Sequence, residues 1–241
     1  SCEETVWLDC IVPYDDFLFF FLGNYNFIVR FNCVTEDIDY VGDCVLTMKL
    51  EFGKTDKEIF RHGYALLENN LYLASVGYQG IVLKINLLSL EFEYIKLAHD
   101  VNFTSICGDN GKVWLTTADG KIVEWCLGEN IIKQYICQDN QKEKCVYFDI
   151  IKKDNYIIAL PWNSKDITVL EQSTEKIINI KLEEKIDEDM ICMFGKLDGD
   201  YLYTFSHTTK KLYKICLLTL KKEREYIRME PEKDDVEFWE G

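Results

Sequence analysis

Two aspartates stand inside apolar runs, where a carboxyl group is costly unless it is hydrogen-bonded or put to use: Asp9 in VWLDCIV and Asp149 in VYFDII. Paired carboxyls about 5 to 9.5 Å apart are the equipment of glycoside hydrolysis, one acting as acid and the other as base or nucleophile. Parity decides whether such a pair converges. Asp9 lies seven residues before Asp16 and Asp149 lies six before Asn155, so alternation along a strand predicts opposite orientations unless a turn length differs. Carboxylates with shifted pKa also serve structural roles. The two are the catalytic candidates, and the function expected below does not rest on them.

Other catalytic and cofactor chemistry finds no footing. Ser206 and His207 are adjacent on a turn, where side chains diverge, and no GxSxG elbow occurs. GDNGK, from Gly108 to Lys112, lies between two strand-like runs and lacks the helix N-terminus that a phosphate loop needs. The three histidines, His62, His99 and His207, stand at no metal-ligand spacing, and no CxxC pair occurs. No metal and no cofactor is expected. Many of the ten cysteines, Cys107, Cys126, Cys192 and Cys216 among them, fall within apolar runs. There a thiol behaves as a small hydrophobe, and reduced thiols in a cytoplasmic protein are expected.

A net charge of −15 disfavours nucleic acid and anionic membranes as partners. The longest strongly apolar run, Phe17 to Leu22, is far shorter than the roughly 20 residues that span a bilayer, and the N-terminus has no signal-peptide pattern. With 48% apolar and 14% aromatic residues, 241 residues suffice for a large packed interior.

The elements that would position any site repeat. A polar turn followed by an apolar or aromatic run occurs five times: DDFLFFF, NNLYLAS, NGKVWLTT, DNYIIAL and GDYLYTF. The runs begin at Phe17, Leu71, Lys112, Tyr156 and Tyr201, at intervals of 54, 41, 44 and 45 residues. Each is preceded by one apolar stretch and followed by two more strand-like segments, so each unit carries four strands. Asn, Asp and Gly in the turns suit tight hairpins. The first two strands of each unit are nearly continuous apolar runs and the last two carry the charges, which predicts buried inner and half-solvated outer strands.

A unit of four strands and roughly 40 to 45 residues resembles the blade of a β-propeller. The likeness is to divergent repeat propellers whose last turn reads as in CLLTLKKEREYI from Cys216 and EQSTEKIINI from Glu171, and it covers residues 5 to 229. The Gly-His and Trp-Asp pairs of WD40 blades and the paired glycines of kelch are absent, so the resemblance implies architecture without an inherited active site. It implies an all-β, five-bladed propeller with four antiparallel strands per blade and first strands lining a central channel. Blades are expected at 5–41, 60–97, 102–137, 145–182 and 190–229, with an insertion at 42–59 and an acidic C-terminal segment at 230–241. VEFWEG, Val236 to Gly241, resembles the opening ETVWLDC. It either seals the seam between the last and first blades or begins a sixth, and ring closure argues for five.

Binding on such a ring usually uses the loops between second and third strands and those joining consecutive blades. The former carry Tyr25, Tyr78, Asp119, Trp162 and His207, and the longest of the latter runs from Gly42 to His62 and includes Arg61. Aromatics there suit stacking on a sugar or gripping a peptide, although a chain so rich in rings places some by chance. Trp162, in LPWNSKD, is the first candidate; its simpler role is to fold back on a neighbouring blade. The expected function is a monomeric, non-catalytic binding module for a protein or peptide. The alternative is a carbohydrate-active hydrolase or lectin-like binder of a saccharide at the channel mouth, and a purely structural scaffold is the third class.

Overall fold

The computed structural model describes residues 8–22, 25–53, 59–60, 63–97, 101–128, 131–137, 146–162, 166–182, 192–206 and 210–226. Apart from one helix they form five four-stranded antiparallel sheets, each made of strands consecutive in sequence and in space. Sheet 1 holds β1 (Leu8–Tyr14), β2 (Phe17–Leu22), β3 (Ile28–Asn32) and β4 (Ile38–Val41); sheet 2 holds β5 (Ala65–Leu67), β6 (Asn70–Ala74), β7 (Ile81–Asn86) and β8 (Phe92–Lys96). Between them runs α1 (Cys44–Phe52). Sheet 3 holds β9 (Phe103–Asp109), β10 (Lys112–Thr117), β11 (Lys121–Cys126) and β12 (Ile131–Ile136). Sheet 4 holds β13 (Tyr147–Lys153), β14 (Tyr156–Pro161), β15 (Asp166–Glu171) and β16 (Lys176–Lys181). Sheet 5 holds β17 (Cys192–Asp198), β18 (Tyr201–Ser206), β19 (Lys211–Cys216) and β20 (Lys221–Tyr226).

Hairpin chemistry sets the repeat. At the turn between first and second strands, all five sheets place at least one residue in the left-handed region: Asp15, Glu68, Asn110, Asp154 and Gly199, with φ of 49, 55, 51, 49 and 56°, and in sheet 3 Gly111 follows at 74°. That backbone matches the right-handed twist of the flanking strands. The turns between third and fourth strands put less suitable residues, Glu36, Leu90, Glu175 and Leu220, in the same region, at about 1–2 kcal/mol each. Local hydrogen bonds offset part of that cost. Asn32 Oδ1 accepts from the amides of Val34 and Thr35, and Asn86 Oδ1 from those of Leu88 and Ser89.

Each sheet has two faces, and successive sheets bury them against one another. Sheets 1 and 2 share a cluster built on Phe19, Phe21, Ile28, Leu71 and Leu83, which also takes in Cys44, Val45 and Met48 of α1. Tyr72, Phe103, Leu115 and Trp125 join sheets 2 and 3, and Trp114, Tyr147, Ile157 and Leu170 join sheets 3 and 4. Ile158, Val169, Leu202 and Tyr213 join sheets 4 and 5. The first strands β5, β9, β13 and β17 lie side by side at the centre. Their close approach needs missing side chains: a Cβ on Gly108 would stand 2.6 Å from Ala65 Cβ, and one on Gly195 would stand 2.7 Å from Leu160 Cδ1. The buried Glu124 is fully paired, to Lys112 Nζ at 2.5 Å and to the Tyr135 hydroxyl, which donates at 2.9 Å.

The interval of 54 residues is explained by α1. Its Cys44, Val45 and Met48 are buried against sheets 1 and 2, while Leu50 points to solvent at 77% exposure. Where the sequence suggested only a long connection, the chain forms a helix. No helix among the described residues is long and apolar enough to cross a membrane. VEFWEG lies outside the described residues.

Candidate functional site

Two regions carry chemistry: the hollow where first strands meet, and the connections between second and third strands. The hollow, of about 420 Å³, is lined by Cys10 and Ile11 of β1, Gly63 and Tyr64 ahead of β5, Ile106 to Gly108 of β9 and Asp149 to Lys152 of β13. Asp149 Oδ1 accepts from Ser105 Oγ at 3.2 Å and from the amide of Ile150 at 2.8 Å. Burial pushes the Asp149 carboxyl up to about 6, against the opposing pull of those two hydrogen bonds. Burial also raises the neighbouring Cys107 thiol, and the Asp149 charge adds to that rise. Lys152 does not reach Asp149 as a counter-ion; it pairs with Asp109 at 2.7 Å.

Register explains why the two aspartates are not equivalent. In β1 the pairing with β2 skips from Leu8 to Cys10, and in β13 the pairing with β14 skips from Tyr147 to Asp149. Asp9 therefore occupies the bulge position that Phe148 fills in sheet 4, and Asp149 matches Cys10. The same skip recurs in β17 between Cys192 and Phe194 and in β9 opposite Thr116 and Thr117. Only the backbone of Asp9 is described. Asp149 is the single carboxylate among the described residues that line the hollow. The sequence carried a signal for this offset, the count of seven against six to the next polar turn.

The second-to-third-strand connections put their candidates to different uses. Trp162 is half-buried, its ring 4.8 Å from that of Phe148 and its amide donating to the Val146 carbonyl at 2.8 Å. It folds onto the first strand of its own blade. Tyr78 is buried, donates its hydroxyl to the Gly53 carbonyl at 2.6 Å and packs on Phe52 at 5.7 Å, so it secures the end of α1 rather than standing on a rim. Burial pushes Asp119 up, but the hydrogen bonds from Lys121 and Thr117 outweigh it and hold the carboxyl below its ordinary value. Arg61, His62 and His207 lie outside the described residues.

Tyr25 is the candidate that remains displayed, at 39% exposure, stacked on Tyr40 with ring centroids 6.3 Å apart. Next to it Asn26 ties its loop to the insertion: its carbonyl accepts from the Leu46 amide at 3.3 Å and its Oδ1 from Lys49 Nζ at 3.1 Å. Asn26 thereby joins the loop that displays Tyr25 and Phe27, at 39 and 41% exposure, to the helix that displays Leu50 at 77%, while Phe52 on another side of that helix packs against Tyr78 and Tyr94. Leu50 was missed from the sequence, since only the docking of α1 ties its helix to the Tyr25 loop; Phe27, two residues from Tyr25, was within reach of the sequence and was passed over.

Solved structures with the same arrangement settle the architecture. Streptogramin B lyase superposes with a TM-score of 0.71 at 16% identity, over 93% of this chain and 70% of that one. The chain has the β-propeller fold. The WD40 repeats of RRP9 match this propeller with a TM-score of 0.70 at 11% identity, over 95% of this chain and 68% of that one. A chain of the nidogen/laminin complex matches with 0.61 at 11% identity, over 92% and 79%. No family model and no curated relative matches the sequence. Five sheets of four antiparallel strands make it a five-bladed propeller, and identities this low carry the fold and nothing further.

Proposed function

We propose that this propeller is a non-catalytic binding module that recognises a protein or peptide on the face carrying α1 and the second-to-third-strand loops. The observation that carries the reading is the tie that Asn26 makes between the loop displaying Tyr25 and Phe27 and the helix displaying Leu50. Exposed aromatic and aliphatic groups on a rigid base are the usual anchors of a protein interface. The nidogen/laminin complex, a propeller-containing assembly of proteins, supports the general class. A charge of −15 supports a partner other than nucleic acid. The reading takes the chain to be monomeric and cytoplasmic. Trp162, held against Phe148, serves the face as a wall.

The test is affinity capture with the intact chain, cross-linking mass spectrometry on the captured species, and a Tyr25→Ala, Leu50→Asp double variant. Cross-links clustered on residues 25–53 and lost in the variant are expected. Cross-links that leave this region untouched, or capture unchanged by the variant, would refute the reading. A saccharide reading would instead show as glycan binding that responds to Asp149→Asn and ignores the double variant.

A further inference from the structure

Asp149 is a partly buried carboxylate on the wall of the central hollow, and half of it is in use. Its Oδ1 accepts both from the Ser105 hydroxyl, at 3.2 Å, and from the Ile150 amide, at 2.8 Å, whereas Oδ2 accepts from no donor among the described residues. A glycine builds this arrangement: Gly63 has φ of 99°, and a Cβ on it would stand 2.8 Å from Ser105 Oγ and 2.9 Å from the Ile106 carbonyl oxygen. The other ionisable groups around the hollow supply no counter-charge. Lys152, the one cation among its described lining residues, is engaged by Asp109 at 2.7 Å and by the Asp154 carbonyl at 2.7 Å. Burial raises the Cys107 thiol of β9 and the Tyr64 hydroxyl ahead of β5, so both keep their protons at neutral pH. Cys10 of β1 completes the set, and β10, β14 and β17 contribute no described residue to the lining. An ionised carboxyl in such a place is costly until a cation meets it.

We infer that the hollow is a binding site for an organic monocation, an alkylammonium group seated against Asp149 Oδ2. The donor set argues against a metal ion, because a hard cation needs several oxygen ligands and no group of three His, Cys, Asp or Glu among the described residues could hold one. It argues against a guanidinium as well. That group forks onto both oxygens of a carboxylate, and here Oδ1 already accepts two hydrogen bonds. An ammonium is a point charge that one oxygen can serve. Ile11, Ile106 and Ile151 give the wall an apolar part for an alkyl stem, and about 420 Å³ falls within the roughly 300–1,000 Å³ of small-ligand sites. A free amine and the lysyl side chain of a peptide share this chemistry. None of the lining residues belongs to α1 or to the loop of Tyr25, so the site stands apart from the face proposed above.

Titration calorimetry on the intact chain at constant ionic strength tests this with n-butylammonium, n-butylguanidinium, 1-butanol and a lysine capped at both ends. n-Butylammonium is expected to bind at least about tenfold more tightly than 1-butanol, as a hydrogen bond to a charged group implies, and more tightly than n-butylguanidinium. Asp149→Asn should abolish the preference for the cation. In the wild type, affinity should be about tenfold lower at pH 5 than at pH 7, because the carboxyl, with its pKa of about 6, is then mostly protonated. The carbon-13 signal of the Asp149 carboxyl should accordingly titrate at lower pH when n-butylammonium is bound. Binding of the capped lysine too would assign the cation to a peptide side chain; binding of n-butylammonium without it would assign the cation to a free amine. Equal binding of the alcohol, tighter binding of the guanidinium, no binding of either ammonium, or an Asp149 titration that the amine leaves unmoved would each overturn the proposal.

Discussion

Trp114 and Phe20 are both aromatic residues on second strands of their blades, yet they stand in opposite circumstances. Trp114 lies between blades 3 and 4, 1% exposed, in the cluster that Tyr147 and Ile157 complete. Phe20 faces away from blade 2 and is only half-buried, while Phe19 beside it faces blade 2 and is 1% exposed. Adjacent phenylalanines on one strand thus differ because of what lies opposite and not because of what they are. In a ring of stacked sheets a residue's burial belongs to the interface it helps to make, and each interface can be perturbed almost on its own.

The widest gap between the two regions should appear on truncation. Trp114→Ala is expected to lower stability by about 3–5 kcal/mol, read as a shift in the urea midpoint, because a large cavity opens among groups that cannot collapse into it. Phe20→Ala should cost about 1 kcal/mol, in proportion to the smaller apolar area it removes from water. Equal losses at the two positions would mean that the seam is as tightly packed as the inner interfaces.

How much of this was legible in the sequence follows from the range over which each feature is determined. Strands and hairpins are local: the turns at Asp15, Asn110, Asp154 and Gly199 name themselves by residue type, and they gave the repeat. Glu68 and Leu90 adopt the same left-handed backbone without any such sign, because the ladder on either side imposes it. The helix α1 was invisible as a pattern, since only Cys44, Val45 and Met48 meet the blades and its opposite side presents Leu50 to solvent. The site suffered most. Tyr78 reads as a rim aromatic until α1 is docked over it, and the helix carrying Leu50 is tied to the loop of Tyr25 and Phe27 through the bonds of Asn26. The repeated bulges were half legible, in the odd and even counts to the next turn, but which side chain enters the hollow required the register of β13 against β14.

Two further changes probe the centre of the ring against its rim. Gly195→Ala should destabilise by about 1–3 kcal/mol through overpacking, since the new methyl would meet Leu160, Ile151 and Leu202 at 2.7–2.8 Å. A matching Gly128→Ala, where no atom lies within 4 Å of the added carbon, should show almost none of that loss in the same melt. Asp149 offers a pH signature. Its pKa of about 6 in the folded chain exceeds the ordinary aspartate value of 3.8, so the folded state holds its proton to higher pH than the unfolded state does. This group's contribution is therefore most favourable below pH 4, declines as pH rises from about 4 to about 6, and stays at its lowest above that. Asp149→Asn keeps an acceptor for Ser105 and Ile150, and should remove this slope and raise stability at pH 7 by about 1–3 kcal/mol. A slope that survives the substitution would assign it to other groups.

The smallest effect is expected on the packed face of blade 1 at its outer edge. The row that begins with Phe19 continues to Arg30 and Asp39, and the two charges pair at 2.7 Å with side chains 26 and 50% exposed. Arg30 also lies over the Phe17 ring, 4.8 Å from its centroid, so losing its carboxylate partner leaves the guanidinium supported and hydrated. Asp39→Ala should cost less than about 0.5 kcal/mol, and less still in 0.5 M salt, because an exposed pair gains little over its hydration and is readily screened. The contrast with Phe19, nine residues back from Ile28 on the same face, places the stabilising contacts of each blade in its inner strands. A larger loss for Asp39→Ala than for Phe20→Ala would reverse that gradient and make the outer charges of the blade, not its apolar interior, the determinant of how sheet 1 is held.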